Sequence, residues 1–285
     1  MKLAISGLIL IFSTMTFAQN KPCKFDEKTL QFVGTPLEQA RCLLRPNKIG
    51  GILGEELKKL PNPLEKLVGQ KVKINKEKLR KYLEKQQIAE DSIGGNLDKP
   101  LSKAKLPNGE EVAALYFIIH DTSTPNYLEK DFPVEINETV WRFNNLEMWL
   151  KNPVAHIFVN RLGDSITTTP FNEPVRKGFG TKFARDFLKV EAKGLQIHIE
   201  LVQPRKSDIT KYKGNDLIAP TVGFTEKQYQ KLSLLYLCAS IRRGDWLIPA
   251  YHSATDAGIK DAHDDPQNFD LVKFGMELKK LIDKF

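Results

Sequence analysis

Two segments of the chain carry the apolar patterning of buried strands. Ala113-Ala114-Leu115-Tyr116-Phe117-Ile118-Ile119 is a continuous apolar run, as a strand covered on both faces requires, and it ends abruptly in His120-Asp121-Thr122-Ser123. Leu195 to Leu201 alternates instead. Leu195, Ile197, Ile199 and Leu201 point one way, and Gln196, His198 and Glu200 the other. Ala155-His156-Ile157-Phe158-Val159-Asn160, the turn Leu162-Gly163-Asp164 and the run Ser165 to Thr169 together predict a hairpin.

Helical spacing recurs elsewhere. Asn75 can cap a helix through Glu90, with Leu79, Tyr82, Leu83 and Ile88 on one face. Asn137 predicts a second, through Leu150, with Val140, Phe143 and Trp149 inward. Thr225 with Gln228 forms a capping box for a helix running to Arg243, stopped by Gly244. After Trp246 a loop is expected from Tyr251-His252 through Asp265-Pro266, then a closing helix from Leu271 to Leu281.

Residues 19–108 are rich in Lys, Leu and Pro, with breaks at Gly50-Gly51 and Pro61-Asn62-Pro63 and few strand signals. They are expected to form a small helical N-terminal extension without chemistry of its own, ending in a polar connector around Pro107-Asn108-Gly109. Residues 109–285 form the second region, where strands and helices interleave without strict βαβ order. The fold class expected is therefore mixed α/β, a central and mostly mixed sheet flanked by helices rather than a doubly wound one.

Composition narrows the class. With 285 residues, 41% hydrophobic, 27% charged, 18 Gly and 16 Pro, collagen-like, low-complexity and wholly disordered chains are excluded. The formal charge of +8 comes without a dense Lys/Arg block, which favours a solvated basic surface over nucleic-acid binding and leaves attraction to an anionic wall or membrane surface open. Met1-Lys2, the apolar run Leu3 to Phe17 and the small residue of Thr16-Phe17-Ala18 read as a secretory signal peptide over residues 1–18, with export to the periplasm or the medium. No later window offers the roughly 18 apolar residues of a membrane span. Cys23 follows Lys-Pro rather than a lipoprotein cleavage stretch. In an oxidising compartment a Cys23–Cys42 disulfide would close a short N-terminal loop, whereas Cys238, inside Leu234-Leu235-Tyr236-Leu237-Cys238, is expected to be a buried free thiol.

All five histidines, His120, His156, His198, His252 and His263, lie in the second region. His120 stands where a buried strand runs out. His252 and His263 share a loop with Asp256, Asp261, Asp264 and Asp265. Neutral imidazoles plus a carboxylate, with a fourth position open, suit a catalytic zinc ion. No HExxH occurs, which excludes the helical metalloprotease arrangement.

The order of these segments resembles the zinc-dependent N-acetylmuramoyl-L-alanine amidase family, whose fold is shared with peptidoglycan recognition proteins. The resemblance spans about residues 110 to 275 and rests on Phe117-Ile118-Ile119-His120; on Val154-Ala155-His156-Ile157-Phe158-Val159-Asn160-Arg161-Leu162-Gly163-Asp164-Ser165-Ile166; on Ile197-His198-Ile199-Glu200-Leu201; and on His252 with Asp265-Pro266-Gln267-Asn268-Phe269-Asp270. It implies Zn2+ held by His120, His252 and Asp265, with Glu200 activating water against the amide between N-acetylmuramic acid and the L-Ala of the stem peptide. The expected partner is thus peptidoglycan or a muropeptide.

Three departures from the family pattern stand out. His263-Asp264-Asp265-Pro266 replaces a Lys-x-Asp-Pro stretch, so His263, or Lys260 three residues earlier, is left to steady the oxyanion. The loop between His252 and Asp265 is slightly long, which keeps His263 and Asp264 as rival third ligands. His198 takes the place of a glycine beside Glu200, where it can contact substrate, shift the proton affinity of Glu200 or fill space. His156 is expected to be structural or to support a ligand from behind. Two other functional classes remain, a peptidoglycan-binding module without activity and a zinc peptidase acting on another amide.

Overall fold

The computed structural model describes residues 22–48, 52–176, 178–186, 190–206, 223–260 and 262–285. The signal peptide expected at residues 1–18 lies outside them, as does Asp261. In chain order the first elements are β1 (Phe25–Asp26), β2 (Gln31–Phe32), α1 (Pro36–Leu43), β3 (Asn47–Lys48), β4 (Ile52–Leu53), α2 (Leu64–Leu67), α3 (Lys76–Lys85), β5 (Lys103–Lys105) and β6 (Glu111–Ala113). There follow β7 (Tyr116–Asp121), β8 (Ile157–Val159), β9 (Ser165–Thr167), α4 (Lys182–Asp186), β10 (Gln196–Leu201), α5 (Glu226–Arg243), β11 (Ile248–Tyr251), α6 (His252–Thr255) and α7 (Leu271–Ile282).

The central sheet has five strands in the order β11-β7-β10-β8-β9. β11, β7, β10 and β8 run parallel, and β9 returns antiparallel to β8 through the expected hairpin. The sheet is therefore mixed, as the interleaved patterning required. β7 and β10 are buried along their whole length on both faces. For β10 this means that the alternating polar side is not solvated; its Gln196, His198 and Glu200 are interior groups.

Side-chain parity assigns the layers. Phe117 packs edge-on against Tyr236 of α5, with ring centroids 5.2 Å apart, and α5 in turn packs on α7. Tyr116 points to the other face, where its hydroxyl donates to Gln39 Oε1 of α1 at 2.8 Å and accepts from the Phe32 amide at 2.9 Å. The N-terminal residues thus supply the layer over the face that carries Ile118 and His120. Leu43, Leu79, Ile118 and Leu235 belong to one apolar cluster that runs through both regions of the chain. The Cys23–Cys42 disulfide ties α1 to the segment before β1, and Cys238 is a buried thiol.

Local signals set most element ends. Thr225 accepts from the Gln228 amide while the Gln228 side chain returns to the Thr225 amide, and Gly244, with φ 88°, closes α5 in the left-handed conformation that suits glycine. Asn75 caps α3 as expected, but the helix stops at Lys85 rather than Glu90, because Gln87 turns left-handed at φ 53°.

Three expectations are corrected. The helix from Asn137 to Leu150 is a series of 3₁₀ turns, Val134–Asn137, Arg142–Asn144 and Leu146–Lys151. The buried Asn144 amide donates to the carbonyls of Ile136 and Glu138, occupying acceptors that an α-helix would use internally. The run from Ala113 to Ile119 is two strands: the Ala114 amide bonds to Ser102 and the Leu115 amide to Leu195, so the chain changes partners there. Finally, the segment read as a loop from Tyr251 opens with the end of a parallel strand and a helical turn, β11 and α6. The connector at Pro107-Asn108-Gly109 forms the turn between β5 and β6, which pair antiparallel.

Candidate metal centre

Strand register builds the site. In the β7–β10 pair Glu200 is level with His120 and Ile199 with Ile119; on the other side of β7, Tyr251 is level with Ile119. His252, one residue further, comes level with His120. The carboxyl ends of three adjacent parallel strands therefore deliver His252, His120 and Glu200 to one edge of the sheet, the usual location of ligand sites in such sheets. The fourth group arrives from the loop before α7. The Asp265 carbonyl accepts from the Ser253 amide at 2.8 Å, its Oδ2 from the Asp121 amide at 3.2 Å, and the Gln267 amide donates to Asp121 Oδ2 at 2.8 Å.

These bonds bring two imidazoles and one carboxylate into direct contact. His120 Nδ1 is 2.9 Å from His252 Nδ1, which lies 2.9 Å from Asp265 Oδ1. His120 Nδ1 is 3.6 Å from Asp265 Oδ2. Zinc bonds of about 2.0–2.1 Å place tetrahedral ligand atoms about 3.3 Å apart, and the three separations bracket that value. The donor set fits zinc: His120, His252 and Asp265 form a buried group able to hold a metal ion. The outer ring nitrogens already have partners, His198 Nδ1 at 2.9 Å for His120 and Asp256 Oδ2 at 2.8 Å for His252. Each of the two rings is thus oriented from behind.

The rival ligands lie elsewhere. Asp264 Oδ1 is bound by Arg205 at 2.7 Å, turned from the centre. His263 stacks on the His252 ring and its side chain is 47% exposed, with Nδ1 3.7 Å from Asp265 Oδ1, so it stands at the mouth rather than among the ligands. Lys260 is exposed on the loop, outside the cavity walls; its carbonyl accepts from Lys182 Nζ at 2.7 Å.

Glu200 faces the trio, with Oε1 3.9 Å from His120 Nδ1 and Oε2 without a hydrogen-bond partner among the described residues. Burial, reinforced by the charge of Asp265, pushes its proton affinity well above the ordinary carboxylate range. Burial and the neighbouring His252 push His120 down to about 3. For His252 burial acts in the same direction, but the carboxylates of Asp265 and Asp256 outweigh it and hold the ring well above its usual value. Asp265, against its own burial, is kept below the carboxylate range by His252.

His198 and His156 continue the row across the sheet. The His198 amide donates to His156 Nδ1 at 2.9 Å and His156 Nε2 meets the Glu173 carbonyl at 2.9 Å, which makes His156 a structural support. The centre opens into a cavity of about 270 Å³, where Thr122, Ser123, Val154, Phe179 and Arg185 approach the cluster. Arg185 and Arg205 carried no sequence signal, since neither falls within the segments that carry the histidines. Asp256 carried one: it falls four residues after His252, a single helical turn.

No family model, no curated protein and no solved structure matches this chain.

Proposed function

We propose that this chain is an exported zinc-dependent amide hydrolase of peptidoglycan, cleaving the bond between N-acetylmuramic acid and the L-Ala of the stem peptide. The observation that carries the reading is the carboxylate of Glu200 facing the His120–His252–Asp265 trio at the end of an open cavity. The choice of substrate rests on the four ordered segments of the sequence resemblance, and the Cys23–Cys42 disulfide supports an oxidising compartment.

His120, His252 and Asp265 would hold the ion. When bound there, zinc supplies Lewis acidity, drawing electron density from a carbonyl and acidifying water. Glu200 takes the proton of the attacking water and returns it to the amine nitrogen as the carbon–nitrogen bond breaks. His263, at the mouth and half exposed, directs an N–H toward the carbonyl oxygen as charge develops on it. His198 and Asp256 keep the ligand imidazoles in place.

The test is digestion of purified muropeptides with the purified protein, read by mass spectrometry beside metal analysis. Stoichiometric zinc and release of intact stem peptides with a free N-terminal Ala are expected. Cuts within the stem peptide would assign a peptidase instead. Binding without cleavage, or a protein free of zinc, would assign a recognition module.

A further inference from the structure

The hydrogen bonds behind His120 form a sequence of fixed polarity. The backbone amide of His198 can only donate, so His156 Nδ1, 2.9 Å away, is bare and His156 carries its proton on Nε2, directed at the Glu173 carbonyl. That bond holds the backbone of β10 beside His156, and the two rings stack within 5° of parallel. The His198 ring is fully buried, and its Nδ1 sits 2.9 Å from His120 Nε2. Its other nitrogen, Nε2, has no hydrogen-bond partner among the described residues. It lies against Gly180, where an added Cβ would come within 3.0 Å of Cε1 and 3.1 Å of Nε2. The ring is therefore wedged between a glycine and a metal-site histidine, and a single polar contact fixes its direction.

We infer that His198 is a positioning residue for the metal centre: its bare Nδ1 accepts the Nε2 proton of His120 and thereby presents the Nδ1 lone pair of His120 to the ion. The inference rests on the proposed metal site. Only one arrangement of protons satisfies the geometry with His120 coordinating through Nδ1, because that atom must be unprotonated to coordinate. His120 then carries its proton on Nε2, and His198, as acceptor at Nδ1, carries its own on Nε2. A buried N–H without a partner is an unfavourable place for a proton. The structure tolerates it because the same ring aims an acceptor at His120. Gly180 leaves the space, since any side chain there would push the ring toward the ligand.

Two measurements test this, neither of them turnover. In the zinc-loaded wild-type protein, nitrogen NMR of the imidazoles should show His198 bare at Nδ1 and protonated at Nε2; a proton on His198 Nδ1 would overturn the assignment. In competition with a chromogenic chelator, His198→Leu, which removes the acceptor but retains bulk, should bind zinc about 10–100-fold more weakly. His198→Asn, whose Oδ1 replaces Nδ1 as acceptor, should recover most of that loss. The cobalt absorption spectrum of the Leu variant should change while its thermal unfolding in the metal-free state stays close to wild type. Wild-type affinity and an unaltered cobalt spectrum in His198→Leu would refute the role. A wild-type protein that bound no zinc at all would instead refute the metal site itself. The NMR result decides the case if the Leu variant does not fold.

Discussion

Glu200 and His120 are direct neighbours across the parallel pair β7–β10, with Oε1 of one 3.9 Å from Nδ1 of the other. The β7–β10 backbone ladder fixes the spacing of the two residues along the sheet edge. Glu200→Gln preserves shape and removes the titrating oxygen. We expect zinc content to stay at wild-type level while amide hydrolysis falls by about 10²–10⁴-fold, read from muropeptide turnover beside metal analysis. Retained activity would remove Glu200 from the chemistry.

Asp256 serves both His252 and α4. Its Oδ2 meets His252 Nε2 at 2.8 Å, and its two oxygens accept from the amides of Lys182 and Phe183 at 2.9 and 2.8 Å. In Asp256→Asn the amide can no longer supply a charged acceptor to the ligand ring. Zinc affinity should fall by about 10–100-fold in a chelator competition. Unchanged affinity would mean that the ring is held by packing alone.

Arg205 stands between Asp264 at 2.7 Å and Asp121 at 3.4 Å, all three side chains being buried. Burial raises Asp264 to about 6 even with the guanidinium beside it. Arg205→Met removes the cation these carboxylates share and should lower unfolding free energy by about 3–5 kcal/mol in denaturant titrations. The double variant with Asp264→Leu should recover part of the loss, and simple additivity of the two changes would disprove the coupling.

The Cys23–Cys42 disulfide closes a loop with a sequence separation of 19. Constraint of the unfolded chain by a loop of this size is worth about 3 kcal/mol. Replacing both cysteines with serine should lower the melting temperature, and reductant should do the same to the wild-type protein only. Identical melting of the two proteins would show that the layer over Tyr116 is held by packing.

Glu65 accepts from the Leu60 amide at 2.8 Å and pairs with Arg41. Burial raises its pKa, but these two partners overcome it and hold the folded-state value below the ordinary range. A depressed folded pKa gives stability that is present above the unfolded value and is lost as pH falls through the folded one. Glu65→Gln should therefore be less stable than wild type by about 1 kcal/mol at neutral pH. The gap should close as pH drops below about 4.3, the ordinary value of a glutamate. A gap that widened on acidification would contradict the assignment.

Elements with strong local signals were legible in the chain: α5 between its capping box and Gly244, the β8–β9 hairpin, and β10 from its alternation. The segment after Asn137 was not, because a side chain distant by several residues, Asn144, competes for the helix carbonyls. β11 was missed because its four residues, Ile-Pro-Ala-Tyr, are too short and irregular to show a period; pairing with β7 defines it. Of the site, His120, His252, Asp265 and Glu200 were all nameable from residue order and resemblance, with Asp264 and His263 kept as rivals to Asp265. The structure separates the rivals: Asp264 is bound by Arg205, while Asp265 meets His252.

Residue order alone determined which groups this protein owns: a set of imidazoles and acids, strands to carry some of them and caps to end its helices. Those properties depend on neighbours a few positions away, so the chain encodes them locally. The meeting of His120 with His252, 132 residues apart, and the support of His120 by His198 belong to the sheet. Parallel pairing brings three carboxyl ends together regardless of the chain between them, and burial of those ends shifts the proton affinities of the groups they carry.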